Sequence, residues 1–339
     1  MSEGAPPPID RRTLVRAAAA IAGVTLLSLL FIASYAGALH EPRPHDVPLA
    51  VDEAVPAPVV AKLAASPALA VESAAGVEGA LAMIDRREAY GALVAAPGGA
   101  LVLYVAPAAS AAVADFLAAE VPKQLRAAGV PVRVRTVHPL PASDTRGLVG
   151  FYTVIGWAIA GYLGATLLGL AFGTSPSRAR TAWRFVALAA LGLLVGLGGA
   201  AISTAIAGYD NGFAELVLIG LMTVLATGAV TVALQSLLGI LGTGVAILLF
   251  VVFGNPAAGG PYASELLPGI WRFGGQLIPT GAATTAVRNV TYFPQASIGL
   301  SLLCLALWIA AGAVVAIVFA GRGRGLDQAE AEASAAGLA

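Results

Sequence analysis

Charge is scarce in this chain: 11% of its 339 residues are Asp, Glu, Lys or Arg, against 58% hydrophobic. A soluble domain carries about a quarter charged residues, so the shortfall excludes an ordinary soluble enzyme and indicates an integral membrane protein. Nineteen basic residues balance nineteen acidic ones, and nucleic acid is excluded as a partner because it would want a concentrated basic face. Cysteine occurs once, as Cys304 inside an apolar run, so no intrachain disulfide can form. The three histidines, His40, His45 and His138, come without a neighbouring cysteine or a ligand spacing, and no metal is expected. No Gly-Lys dipeptide exists, which removes the phosphate loop of nucleotide hydrolases. No Ser, Thr or Cys stands in a nucleophile motif. The chain is therefore expected to have no catalytic residue and no cofactor.

What is present is a series of apolar runs. Residues 1–16 are polar and end in Arg11, Arg12 and Arg16; residues 17–39 then form an uncharged run long enough to span a bilayer. Ala36-Gly37-Ala38 resembles a cleavage site, but the run is about twice the length of a signal-peptide core, which favours a retained helix. Residues 40–147 change character. Short β-like runs (Val47–Val51, Ala89–Ala95, Ala100–Ala106, Val132–Val137) alternate with helical ones (Ala57–Ala65, Gly76–Arg87, Ala108–Ala128). The VRVRTV run alternates apolar and basic residues as a half-buried strand should. A small α/β domain of unfixed strand order is expected here.

From Leu148 to Ala320 only eight charged residues occur. Spans are expected over Leu148–Phe172, Phe185–Ala207, two within Phe213–Phe253 with a turn between Gln235 and Gly244, and Ala296–Ala320. The arginines at 11, 12 and 16, at 178, 180 and 184, and at 322 and 324 fall on one side of a six-helix topology. By the positive-inside rule both termini, including the tail 321–339, are cytoplasmic and residues 40–147 extracytoplasmic.

Residues 254–293 lie between the last two spans and are too apolar for a water-facing loop. Leu266, Leu267, Ile270 and Trp271 suggest one helical face, the Gly274-Gly275 pair a break, and Pro279 the start of a second half-helix ending near Thr291. A re-entrant helical hairpin is expected, with a loop lying on the membrane surface as the alternative. Within it Glu265, Arg272 and Arg288 are the ionisable residues, and a charge pair from Glu265 to Arg288 would pin the two halves. Glu215 at a helix start and Gln235 near the cytoplasmic turn are the remaining polar groups of note.

Four segments carry a resemblance: SYAGALHEPRPHDVPLAV (Ser34–Val51), DRREAYGALV (Asp85–Val94), PLPASDTRGLVGFYTVIGWAIAGYLGA (Pro139–Ala165) and GNPAAGGPYASELLPGIWRFGGQLIPTGAATTAVRN (Gly254–Asn289). With the span order, they make the chain similar to the ABC type-2 transporter permeases, in the branch of the phage-infection-protein-like membrane proteins. The resemblance implies a mostly α, polytopic bacterial plasma-membrane protein of six helices, which dimerises and is driven by a separate ATP-binding subunit. That subunit would dock on the loop bearing Arg178, Arg180 and Arg184. The implied activity is export of a hydrophobic or lipid-linked substrate by alternating access. The alternative from another class is a non-transporting scaffold whose outer domain binds a surface partner.

Overall fold

The computed structural model of the chain describes residues 10–127 and 129–321. The first nine residues of the amino-terminal arm, and the tail with Arg322 and Arg324, lie outside the described residues. Among the described residues five helices are long and apolar enough to cross a membrane: α1 (Arg11–Leu39), α5 (Val149–Phe172), α6 (Arg178–Ala207), α7 (Phe213–Leu238) and α12 (Gly299–Phe319). Helix α1 starts earlier than its apolar run because Asp10 caps it, accepting the Thr13 N–H at 2.6 Å. Arg11, Arg12 and Arg16 therefore belong to its first turns.

Helix α7 is the axis of the bundle, with α5, α6 and α12 around it. A Cβ on Gly161 of α5 would stand 2.5 Å from the Val224 carbonyl oxygen, and one on Gly312 of α12 would stand 2.6 Å from the Ala229 backbone. Backbones meet directly at those crossings, as small residues permit in membrane bundles. Thr223, Thr227 and Thr231 are buried along α7, and each hydroxyl donates to the carbonyl four residues earlier. The axis thus buries hydroxyls without leaving them unsatisfied.

The chain turns after α7 at Gly239, whose φ is 61°, inside the expected window. The shorter apolar segment Leu241–Ala257 follows. It is made of α8 (Leu241–Ile247), a π turn over Leu248–Gly254, and α9 (Asn255–Ala257). Its length is at the lower limit for a span.

Residues 47–136 form the α/β domain. Its elements are β1 (Val47–Asp52), α2 (Ala57–Ala64), β2 (Leu69–Ala74), α3 (Gly76–Asp85), β3 (Gly91–Ala95), β4 (Leu101–Val105), α4 (Ala111–Arg126) and β5 (Val132–Thr136). The strand order is β2-β1-β3-β4-β5. β1 runs parallel to β2 and β3, β4 antiparallel to β3, and β5 parallel to β4. The successive crossovers from β1 to β2 and from β2 back past β1 to β3 put α2 and α3 on opposite faces. Leu49, Leu93, Leu103 and Leu117 fill the face under α2 and α4; Ala92, Val94 and Ile84 fill the face under α3.

Two readings of the domain need correction. Strand β2 was not expected: its Glu72 and Ser73 are exposed, so apolar alternation fails on this edge strand. β5 is not half-buried, since Arg133 to Thr136 are all exposed. It is the other edge, where exposed arginines discourage pairing with a further strand.

Asp144 forms the joint between domain and bundle. Its buried carboxylate accepts the Leu148 and Val149 N–H groups at 2.8 and 2.9 Å. These donors have no intrahelical partner, being at the positive end of α5. Asp144→Ala should lower stability by about 1–2 kcal/mol, the upper range for a lost helix cap, measured as detergent-extracted thermal unfolding. Asp144→Asn should lose less; equal loss in the two would show that hydrogen bonding at this joint contributes nothing.

Candidate functional site

The segment after α9 departs from two uniform half-helices. Ser264–Leu266 is a single 3-10 turn, Leu267 and Pro268 are extended, and α10 covers only Gly269–Gly274. Proline fixes its own φ and disfavours a helical residue before it, so the expected common face cannot form. Leu266 and Leu267 are buried while Ile270 is 64% exposed.

Gly274 and Gly275 do not break the chain either. Both lie in the right-handed helical region, with φ of −83° and −59°. The reversal falls at Ile278, extended at φ −98° and ψ 153°, directly before Pro279 opens α11 (Pro279–Tyr292). Pro279 occupies the expected first helical position. Gly275 is required for a different reason: a Cβ there would stand 1.9 Å from the Ala257 carbonyl oxygen.

The segment is tied to three bodies. Toward α1, Trp271 Nε1 donates to Ser34 Oγ at 3.2 Å, and the Ser34 hydroxyl donates to the Val252 carbonyl in the π turn at 2.5 Å. Toward the domain, the N–H groups of Arg43 and His45 donate to the carbonyls of Leu266 and Glu265 at 3.2 and 2.9 Å. Arg272 pairs with Asp46 at 2.6 Å. Ala263 and Leu266 enter the leucine-rich face of the sheet, and Phe293, wholly buried, enters the opposite face. Toward the bundle, α11 is buried over most of its length, and Thr280 donates to the Gly254 carbonyl at 3.1 Å. The segment is a clasp gripping both faces of the outer sheet.

Glu265 and Arg288 do not form the expected charge pair. Tyr90, just before β3, donates its hydroxyl to Glu265 Oε2 at 2.9 Å, and Ser264 donates to the same oxygen at 3.0 Å. Arg288, 8% exposed, instead donates to the Gly259 carbonyl at 3.0 Å and to that of Gly260 at 3.5 Å. An outer-domain tyrosine thus takes the partner that the sequence assigned to the arginine.

Arg87 arrives at the same place from α3. The Glu88 N–H donates to the Met83 carbonyl at 2.8 Å and the Arg87 N–H to that of Ile84 at 2.9 Å. These two bonds close α3 and put Arg87 at the left-handed position, φ 57°, where glycine is usual. A side chain there costs about 1–2 kcal/mol. Its NH1 group donates to Asn289 Oδ1 at 2.5 Å, while Nε is buried without a partner. Among the described residues neither Arg87 nor Arg288 forms an ion pair. Burial lowers the Arg87 pKa from its ordinary value. Burial, and then the Glu265 charge, raises that of Tyr90, which therefore remains a donor.

Arg87, Tyr90, Ser264, Gln276, Arg288 and Asn289 line a cavity of about 220 Å³ at this seam. Thr285 donates to Gln276 Oε1 at 2.6 Å, leaving the Gln276 amide nitrogen as its donor end. The arrangement is a recess lined by cationic and hydrogen-bonding side chains from the outer domain and from the clasp.

The other polar residues lie elsewhere. Glu215 is exposed in the first turn of α7. Arg178 and Arg180, of the expected docking surface, are exposed at the start of α6. Arg184 is not part of that surface. It is wholly buried, donating to Gln235 Oε1 at 2.5 Å and to the Ala165 carbonyl at 2.9 Å. Gln235 also donates to Thr243 Oγ1 at 3.0 Å, so its expected role in helix packing extends to α8. No family model, curated protein or solved structure matches this chain.

Proposed function

We propose that the chain is the membrane-spanning subunit of an ABC type-2-like exporter, moving a hydrophobic or lipid-linked substrate by alternating access. The observation that carries this is the discontinuous segment Leu241–Ala257. Its backbone is irregular at the π turn, and carbonyls freed there are met by Ser34 of α1 and, at Gly254, by Thr280 of α11. Irregular backbone in a membrane protein is tolerated where protein or water satisfies it, and broken helices of this kind mark the moving parts of transporters.

The same segment supports six spans with a hairpin. Gln235, at one end of the bundle, bonds Arg184 near the start of α6, whereas the residues after Ala257 meet the outer domain. Leu241–Ala257 must travel between those ends. In this reading the termini are cytoplasmic, the domain extracytoplasmic, and Ile270, Phe273 and Leu277, all strongly exposed, rest at the lipid interface. Helix α1, buried only at Ser34 and Ala38 near its end, faces lipid or the second protomer of a homodimer along the rest of its apolar span.

The test is purification of the tagged chain from its own membranes. An ATP-binding subunit should co-purify stoichiometrically and be lost when Arg178 and Arg180 are both changed to Glu. Isolation without that subunit, together with no ATP-driven lipid movement in proteoliposomes, would remove the transport reading.

A further inference from the structure

We infer that the seam cavity is a binding site for a phosphate group. Two guanidiniums reach it from distant parts of the chain, Arg87 from the outer domain and Arg288 from α11. Neither forms an ion pair among the described residues. Arg86 also lines the cavity but is bound to Glu88 at 2.8 Å. The remaining nearby acid, Glu265, is held by the hydroxyls of Tyr90 and Ser264. The recess therefore carries two cations against one anion.

A buried charge is retained at a cost unless something compensates it. Arg288 has carbonyl oxygens alone, and Arg87 has one amide oxygen, the Phe293 ring 5.8 Å from its guanidinium carbon, and an unpartnered Nε. Arg87 is also held in a backbone conformation unfavourable to any side chain, a form of strain that collects at binding sites. An entering anion would satisfy both groups together. Guanidinium forks match oxyanions bidentately, and a tetrahedral phosphate has oxygens enough for both forks and for the Gln276 amide; a carboxylate has two. The phosphate has two sources here: a free phosphate from solution, or a lipid headgroup reaching across the exposed apolar edge at Ile270, Phe273 and Leu277. The site is independent of whether the chain transports anything.

The experiment uses the full chain. In neutral detergent, the thermal unfolding midpoint is followed against inorganic phosphate and against chloride at equal ionic strength. In nanodiscs, a phosphate-free glycolipid, digalactosyldiacylglycerol, alone is compared with the same lipid containing phosphatidic acid. Saturable stabilisation by inorganic phosphate identifies the free anion; stabilisation by phosphatidic acid alone identifies the headgroup. Arg87→Gln should abolish the response. Because Arg87 also supports the seam, a second variant is needed. Gln276→Glu, at an exposed position, installs a resident carboxylate and should weaken the apparent phosphate affinity roughly tenfold or more, the scale of one charge-assisted hydrogen bond, with the fold intact. Equal midpoints in phosphate and chloride and in both nanodiscs would overturn the proposal. So would an undiminished response in Gln276→Glu.

Discussion

Gly275→Ala should unseat the clasp, while Gly274→Ala beside it should be nearly silent. At position 275 the added methyl would stand 1.9 Å from the Ala257 carbonyl oxygen, which is backbone and cannot rotate away. Retreat is blocked on the other side, because the Gly275 carbonyl already lies against Gly281, where a Cβ would meet it at 2.0 Å. Three glycine- and alanine-lined backbones are stacked there without room for a methyl. At position 274 the new atom meets the tip of the Phe253 ring at 3.0 Å, and a side chain can shift. Overpacking typically costs about 1–3 kcal/mol, and a clash with immovable backbone belongs at or beyond the top of that range. Thermal unfolding in detergent, with limited proteolysis across 254–293, measures both variants. Equal effects would mean that the two glycines act through chain flexibility, not through proximity.

That contrast shows where the sequence was legible. The long apolar runs announced the spanning helices because nothing but a membrane accommodates an uncharged stretch of that length. The α/β character of the domain was visible in its alternating runs, and Pro279 marked the start of α11. Inside the clasp the pattern misled. Leu266, Leu267, Ile270 and Trp271 have helical spacing, but Pro268 lies among them and holds the chain extended. Its presence was the available signal. The adjacent glycines looked like a turn, whereas each is right-handed and Gly275 is small because two strands of backbone converge on it.

The seam cavity was not legible at all. Arg86, Arg87 and Glu88 are adjacent in the sequence, and Arg86 and Glu88 form an ordinary solvated pair. Arg87 differs only because the left-handed end of α3 turns it toward Asn289, 202 residues along the chain. Tyr90 likewise redirects Glu265 across 175 residues. Pairings at that separation are decided by how the domain sits on the clasp, which no local pattern encodes.

The last expected result concerns the opposite end of the bundle, where Gln235→Leu should be more damaging than Arg184→Met. Arg184 has no exposed surface, and its shortest contact is with Gln235 Oε1; the bond to Ala165 is longer and that to Gly173 is 3.4 Å. Removing the glutamine deletes a hydrogen bond to a charged group and leaves a buried cation with helix carbonyls alone, at a cost of about 3 kcal/mol, the top of the range for such a bond. Removing the arginine takes the charge away and leaves one amide oxygen unsatisfied, at about 1–3 kcal/mol. Arg184→Met with Gln235→Leu should then be less destabilised than the sum of the single variants, because neither residue strands the other. A double-mutant cycle by thermal unfolding reads this coupling directly. Strict additivity would mean that the two side chains do not depend on each other. A larger loss in Arg184→Met would instead make the guanidinium's bonds to the α5 carbonyls the dominant tie. The outcome bears on function because Arg184 and Gln235 join α5, α6, α7 and α8 just beneath Arg178 and Arg180. In the proposed function, those exposed arginines would present a fixed surface to an ATP-binding subunit only while the buried pair holds the helix ends together.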